Sequence, residues 1–302
     1  MKNLLEWCEA GLKPWLCTIV RCTGSSPRPV GAMLACLEDG RQVGSVSGGC
    51  VEEDLLQRLC SGEFCSALPQ VVEYGLSAEE NERLGLPCGG RIDVLLQKIG
   101  PGDCQWLAPL LEAMELRACV RRHVDLVSGE STLHSAQSYS PLQLTDTELR
   151  QSFGPRTRML LVGAGQLAQS LSELALAMDY EVLVTDPRAQ VLELWEGPQV
   201  TLLQGMPDDI VREHATDRHC VIITLTHDPR RDDMALMEAL QTEAWYVGAL
   251  GSERTTRKRL ARLADLGIAP ARIAKLHAPV GLPIGSKTPV SYTHLRAHET
   301  ND

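Results

Sequence analysis

The chain predicts an α/β fold in two parts. An α/β domain spans residues 1–150, a doubly wound parallel sheet spans 151–289, and 290–302 reads as a non-native tail. Three observations predict this. A length of 302 residues is twice the ~150 usual for one domain. From Arg158 onward, short apolar strands alternate with helices, which favours parallel βαβ units. At the head of that series, Val162-Gly163-Ala164-Gly165-Gln166-Leu167-Ala168 joins an apolar strand to a helix.

The first part opens with a helix over 4–9 and a strand over 15–21. The turn Thr23-Gly24-Ser25-Ser26-Pro27-Arg28-Pro29 leads to a strand over 32–38, and Asp39-Gly40 marks a hairpin. The next strand, 41–46, runs into Ser47-Gly48-Gly49, and a helix begins near Cys50. Its first turn carries Glu52, Glu53 and Asp54, as the positive end of a helix prefers. Strands over 71–74 and 91–97 bracket the turn Pro87-Cys88-Gly89-Gly90. A helix over 105–115 and a strand over 119–127 follow, and the polar stretch 131–152 reads as loops and turns ending in a linker.

In the second part, strands are expected over 159–162, 181–185, 200–203, 220–224 and 244–247. Helices are expected over 166–178, 231–241 and 253–264. Thr288-Pro289 is a good start for one more helix. Residues 290–302 have neither an apolar stripe nor caps, so their two histidines count for nothing as metal ligands.

A composition of 44% hydrophobic and 23% charged residues belongs to an ordinary globular protein. The formal charge of -10 argues against nucleic acid and against an anionic membrane surface. Nothing approaches the ~18 apolar residues of a membrane span, and no export signal is visible at the start, so the cytoplasm is expected. Eleven cysteines without such a signal read as reduced thiols. Cys17, Cys36, Cys60 and Cys119 lie in apolar runs and are expected to be buried.

Cys50 and Cys88 differ because glycines surround them. Ser47-Gly48-Gly49-Cys50 joins a strand to a helix, where amides point outward and favour anions and a thiolate. The alternative is a tight turn with a buried cysteine. Two thiols without close histidines make a poor structural zinc set.

Gly163-Ala164-Gly165-Gln166 fits a Rossmann-like phosphate cradle, the first glycine for the turn and the second for close approach of a pyrophosphate. Asp186 stands 21 residues past Gly165, where such folds place a carboxylate on a ribose hydroxyl. The competing reading is a turn needed only for helix–strand packing. Arg28 offers a bidentate grip on phosphate or carboxylate, or is simply solvated. His227 could orient a ligand or move a proton, and Gly251 sits on a plausible second wall of the crevice. Asp232 and Asp233 read as helix N-terminal charges, and Arg257, Lys258 and Arg259 as a solvated face.

Together these stretches resemble the XdhC/CoxI family of xanthine dehydrogenase accessory proteins. The likeness rests on the glycine–serine–proline turn, Gly48-Gly49-Cys50-Val51-Glu52, Cys88-Gly89-Gly90, Gly163–Ala168, Asp186-Pro187-Arg188, Thr226-His227-Asp228, the 248–254 run and the 277–285 run. It implies an XdhC/CoxI-type α/β domain followed by a Rossmann-like one. It implies a chaperone that holds molybdenum cofactor (molybdopterin, as mono- or dinucleotide), protects it during sulfuration by a cysteine desulfurase, and delivers it to an apo molybdenum hydroxylase. It implies a homodimer. Phosphates would lie on Gly163, Gly165 and neighbouring amides, with Cys50 and Cys88 toward the molybdenum and sharing its pocket.

Two other readings compete. One is an NAD-dependent oxidoreductase, drawn from Gly163–Ala168 with Asp186 but lacking a convincing proton donor. The other is a sulfurating or nucleotidyl-transferring enzyme, for which the sequence displays neither a metal–phosphate site nor a sulfur donor.

Overall fold

The computed structural model describes residues 1–24, 28–64, 66, 68–84, 90–226 and 228–282, and the chain divides into two compact units between Pro155 and Arg156. Expectations for Cys88, Gly89, His227 and the tail at 290–302 fall outside the described residues.

The first unit opens with α1 (Lys2–Glu9), β1 (Trp15–Thr23), β2 (Met33–Cys36), β3 (Gln42–Gly44) and α2 (Cys50–Cys60). It continues with β4 (Gln70–Tyr74), α3 (Ala78–Arg83), β5 (Arg91–Lys98), α4 (Cys104–Glu115) and β6 (Cys119–Asp125). The strands β7 (Ser131–Ala136), β8 (Gln143–Leu144) and β9 (Glu148–Phe153) complete it. A five-stranded antiparallel sheet runs β3-β2-β1-β5-β4, and a four-stranded one runs β7-β6-β9-β8.

β1 is the spine of the larger sheet because it is apolar on both faces. Trp15, Cys17 and Ile19 pack against Val51, Leu55 and Leu59 of α2. Leu16, on the opposite face, joins Leu4 and Cys8 of α1 and Trp106, Leu107 and Leu110 of α4. This is the two-residue alternation of a strand buried on both sides.

The stretch 131–152 corrects the sequence reading, since β7, β8 and most of β9 replace the expected loops. These strands are rich in Ser, Thr, His and Gln, and β7 has no fully buried residue, so the apolar alternation of a core strand is missing. β9 does alternate, burying Leu149, Gln151 and Phe153. A second correction concerns Cys60, which is exposed and donates its thiol to the Glu38 carbonyl at 3.1 Å. It lies off the Val51–Leu55–Leu59 stripe of α2. Cys17 and Cys36 are buried as expected, and Cys119 is half-buried.

The second unit holds β10 (Arg158–Val162), α5 (Gln166–Ala177), β11 (Glu181–Thr185), α6 (Ala189–Glu193), β12 (Thr201–Leu203) and α7 (Pro207–His214). After these come β13 (Cys220–Thr224), α8 (Pro229–Ala239), β14 (Tyr246–Ala249), α9 (Glu253–Asp265), α10 (Pro270–Ile273) and β15 (Leu276–His277). All six strands are parallel in the order β12-β11-β10-β13-β14-β15. The chain winds one way from β10 and then the other way from β13, which is the doubly wound Rossmann arrangement expected. Leu160, Val162 and Ile222 face α7, α8 and α9 on one side, while Met159, Leu161 and Ile223 face α5 on the other. Among the described residues, no helix is long and apolar enough to cross a membrane.

Candidate functional site

In the first unit, the loop after β3 carries the Cys50 motif. Val51, Leu55 and Leu59 turn one stripe of α2 onto the sheet, which leaves Cys50, its first residue, exposed. The adjacent amides are not open. Glu52, in the first turn of α2, reaches back so that its Oε1 accepts from the Ser45 hydroxyl at 2.5 Å. The same oxygen accepts from the Val46, Ser47 and Gly48 amides, each at 2.8 Å. Gly48, at φ +77°, takes the left-handed conformation in this loop. Burial pulls the Glu52 carboxyl up, but the hydroxyl and three amides outweigh it, and its pKa lies below the ordinary glutamate value.

This corrects the expectation that the amides of Ser47 and Gly48 await an anion from outside. Their positive ends already meet a carboxylate of the chain, and the Gly49 amide donates to the Ser47 hydroxyl at 3.3 Å. The sequence signal was present: a glutamate three residues past a glycine N-cap stands where a capping-box side chain turns back.

Of the second glycine turn, Gly90 is described. It is buried, and a Cβ on Gly75 (φ +87°) would overlap its carbonyl oxygen. Arg28 is exposed, and its carbonyl accepts the Cys22 thiol at 3.8 Å.

In the second unit, the loops that carry the described residues of the expected crevice lie on adjoining strands, His227 being outside the described residues. Val162 is in register with Thr185 and Thr224, and Thr224 with Ala249, so the loops leaving β10, β11, β13 and β14 stand side by side. The first holds Gly163 to Gln166, the second Asp186, the third Thr226 and the fourth Gly251. Gly163 has φ +107°, and a Cβ there would lie 3.0 Å from Thr226 Cγ2 and 3.2 Å from the Thr226 amide nitrogen. Gly163→Ala is therefore expected to destabilise this unit by roughly 1–3 kcal/mol, read as a lowered chemical-denaturation midpoint. An unchanged midpoint would show that the turn yields freely. Gly165 caps α5 and has nothing within 4 Å of a built Cβ, so open space lies over the loop where a phosphate cradle needs it.

Asp186 corrects its assigned role. Its side chain is 0% exposed. Oδ1 accepts from the Arg188 amide at 3.0 Å and Nε at 2.8 Å, while Oδ2 accepts from Arg188 Nη2 at 2.8 Å and the Ala164 amide at 3.4 Å. Arg231 Nη1 lies 4.0 Å from Oδ1. Burial pulls the Asp186 carboxyl up, but Arg188 and the amides hold it below the usual aspartate value. A carboxylate engaged in this way is not offered to a ribose hydroxyl.

Asp232 and Asp233 are also more than helix-end charges. Asp232 and Arg259 are both buried and meet at 2.7 Å, and the Thr226 hydroxyl donates to Asp232 Oδ1 at 2.7 Å. Burial pushes the Asp232 carboxyl up to about 6 against the pull of Thr226 and Arg259. Asp233 accepts from Arg262 Nε at 2.5 Å. Arg259 Nη1 donates to the Leu250 carbonyl at 3.1 Å, tying α9 to the loop that carries Gly251. Arg257 and Lys258 are exposed as expected, whereas Arg259 is not. It falls in register with Thr256 and Leu263 on the buried stripe of α9, the spacing that marks it in the sequence. No group of three or more His, Cys, Asp or Glu among the described residues is placed to hold a metal ion.

Comparison with known proteins agrees with this architecture. The model of the XdhC Rossmann domain matches residues 159–292, and that of the XdhC and CoxI family matches residues 7–75. The molybdenum cofactor insertion chaperone PaoD of Escherichia coli (strain K12) is 29% identical over 286 residues, covering 93% of this chain and 80% of its own length. A protein of Bacillus subtilis (strain 168) described as a probable xanthine dehydrogenase component is 26% identical over 300 residues, covering 91% of this chain and 88% of its own. The crystal structure of a xanthine dehydrogenase from Bacillus halodurans matches with a TM-score of 0.75 at 26% identity, over 96% of this chain and 91% of that one. With a stretch of each unit matched by a model of this family, the chain belongs to the XdhC and CoxI family.

Proposed function

We propose that this protein is a molybdenum-cofactor chaperone that binds the cofactor, shelters it while a cysteine desulfurase supplies sulfur, and delivers it to an apo molybdenum hydroxylase of the xanthine dehydrogenase kind. The observation that carries this reading is the likeness to a molybdenum cofactor insertion chaperone along 93% of the chain. The residues fit such a cargo. Cys50 presents an exposed thiol, a soft ligand suited to a metal with sulfur ligands. In the loop Gly163-Ala164-Gly165-Gln166, Gly165 and Gln166 are exposed and open space lies over Gly165 at the start of a twelve-residue helix, suited to a phosphate.

In this reading Ser47, Gly48 and Gly49 form the loop that presents Cys50, with Glu52 fastening it. Cys88, with Gly89 and Gly90, supplies the second thiol. Arg28, His227 and Gly251 are further cargo contacts, and a second copy of the chain completes a homodimer. The NAD-dependent reading has the loop from Gly163 in its favour and the engaged Asp186 against it.

Anaerobic purification from a molybdate-fed host tests the proposal by elemental analysis and by pterin fluorescence after oxidation. Molybdenum and pterin are expected to co-purify. Cys50→Ala is expected to lose most of the molybdenum without changing thermal unfolding, because the side chain is exposed. Equal molybdenum in the variant removes Cys50 from the site. Absence of both molybdenum and pterin, with turnover of NADH, replaces the chaperone by an oxidoreductase.

A further inference from the structure

Among the described residues of the first unit, Cys17 neighbours Cys36 and Cys8 neighbours Cys104, thiol to thiol. The fold treats the two pairs differently. Cys17 and Cys36 are 0% and 1% exposed in the core where β1 and β2 meet α2. Cys17 stands opposite Leu34 and Cys36 opposite Trp15, so they are diagonal neighbours on antiparallel strands. Diagonal positions lie roughly 7–8 Å apart, at the far limit of what a disulfide spans. That pair serves packing and is closed to reagents.

Cys8 and Cys104 are placed otherwise. α1 turns Leu4 and Cys8, one helical turn apart, into a cluster with Trp106, Leu107 and Leu110 of α4. Cys8 is 2% exposed, whereas Cys104, the first residue of α4, is half-buried and packs against the same cluster. Burial first, and then the Cys104 thiol beside it, push the Cys8 thiol up to about 12, so Cys8 rests protonated. The turn that carries Cys104 is pinned, since Asp103 accepts from Trp106 Nε1 at 2.7 Å and from the Gly100 amide at 2.9 Å. α1 has no such fastening. It is eight residues long, with no side-chain cap, no acid in its first turn and no base in its last, so packing onto α4 holds it.

We infer that Cys8 and Cys104 are a modification site, a dithiol latch that hydrogen peroxide closes and that fastens α1 to α4. Cys104 reacts first because it is the half-exposed member. Its sulfur attacks the peroxide O–O bond, giving the sulfenic acid of Cys104 and one water. The Cys8 sulfur then attacks the Cys104 sulfur, the S–S bond forms, and hydroxide leaves with the Cys8 proton as a second water. The two thiols lose two electrons and two protons, and the peroxide is reduced to two waters. A reducing dithiol reverses the step. The latch belongs to the first unit alone and stands whether or not the chain carries the proposed cargo.

The test starts from the full chain, reduced, desalted without oxygen and treated with a small excess of hydrogen peroxide. Remaining thiols are alkylated and the proteolytic peptides are mapped by mass spectrometry. A Cys8–Cys104 disulfide is expected as the main bridge, and dithiothreitol is expected to remove it. The bridge closes a long loop, so oxidation is expected to raise the thermal midpoint of the first unit by at least ~5 °C. In Cys104→Ser, Cys8 is expected to stay a thiol and the midpoint to stay where it was. In Cys8→Ala, the Cys104 sulfenic acid has lost its neighbour and is expected to be trapped by dimedone.

Cys50, which is exposed, reports that the peroxide arrived. Cys8 and Cys104 both alkylated while Cys50 is oxidised, a Cys17–Cys36 bridge in their place, or a bridge that leaves the midpoint unmoved overturns the inference. Mapping of the unaltered protein decides this even where a variant fails to fold.

Discussion

Arg259→Met is expected to be the most damaging single substitution in the second unit, lowering its stability by about 3–5 kcal/mol. Arg259 and Asp232 are 1% and 2% exposed in their side chains and meet at 2.7 Å. Removing the guanidinium leaves a buried carboxylate whose remaining donors are the hydroxyl and amide of Thr226. The Leu250 carbonyl loses its donor in the same step. Methionine restores much of the volume, so a cavity contributes little and the loss is mainly electrostatic. Asp232→Leu combined with Arg259→Met removes both charges and is expected to cost less than Arg259→Met alone. A double variant worse than the single one would show that the pair is worth more than its desolvation.

The same pair sets a pH signature. Burial raises the folded Asp232 carboxyl to about 6 from 3.8. A group raised on folding favours the folded state most below its unfolded value and loses that advantage as pH rises through the folded one. Without Arg259 the carboxyl is pushed further up. The Arg259→Met deficit is therefore expected to be smaller at pH 5 than at pH 8, measured by urea denaturation at both.

What could be read from the sequence follows from how each signal is encoded. The glycine loop from Gly163 to Gly165 and the alternation of strands and helices after Arg158 are local signals and appear as expected, although β14 runs Tyr246–Ala249 and not 244–247, and the short elements α6, α7, α10 and β15 were not anticipated. The strands at 131–153 were missed because their polar side chains leave little apolar alternation, and β8 is two residues long. Charge partnerships were missed for a different reason. Asp186 with Arg188, and Asp232 with Arg259, look like exposed charges until the fold buries one or both members. A charge on an apolar stripe, as at Arg259, is the local clue that a partner waits elsewhere. For the candidate site, the residues of the Rossmann crevice were legible, but whether their polar groups were open or already engaged was not. That depends on side chains returning to their own loop, as Glu52 and Arg188 do.

Glu52→Ala follows from that return and is expected to destabilise the first unit by about 2–3 kcal/mol. One carboxylate oxygen serves four donors, and hydrogen bonds to a charged acceptor are the stronger kind. The loss stays below the sum of four such bonds because Gly48 is exposed and Ser45 and Ser47 are half-buried, so water reaches them. Val46 is fully buried, and its amide is the donor that water replaces least well. Glu52→Gln keeps one accepting oxygen but loses the charge, and is expected to fall between the alanine variant and the unaltered protein.

The pH dependence runs opposite to that of Asp232. The folded Glu52 carboxyl lies below its ordinary value of 4.5. Its stabilisation is therefore present above pH 4.5 and lost as pH falls through the folded value. The gap between unaltered protein and Glu52→Ala is expected to be full at neutral pH and to close in acid, measured by thermal unfolding. A gap independent of pH would mean that the side chain acts by packing and not by its charge. Because Cys50 heads the helix this carboxylate fastens, alkylation of its exposed thiol reads the same loosening at the site. Glu52→Ala is expected to change the Cys50 alkylation rate at neutral pH, where Glu53→Ala, an exposed neighbour, leaves it unaltered.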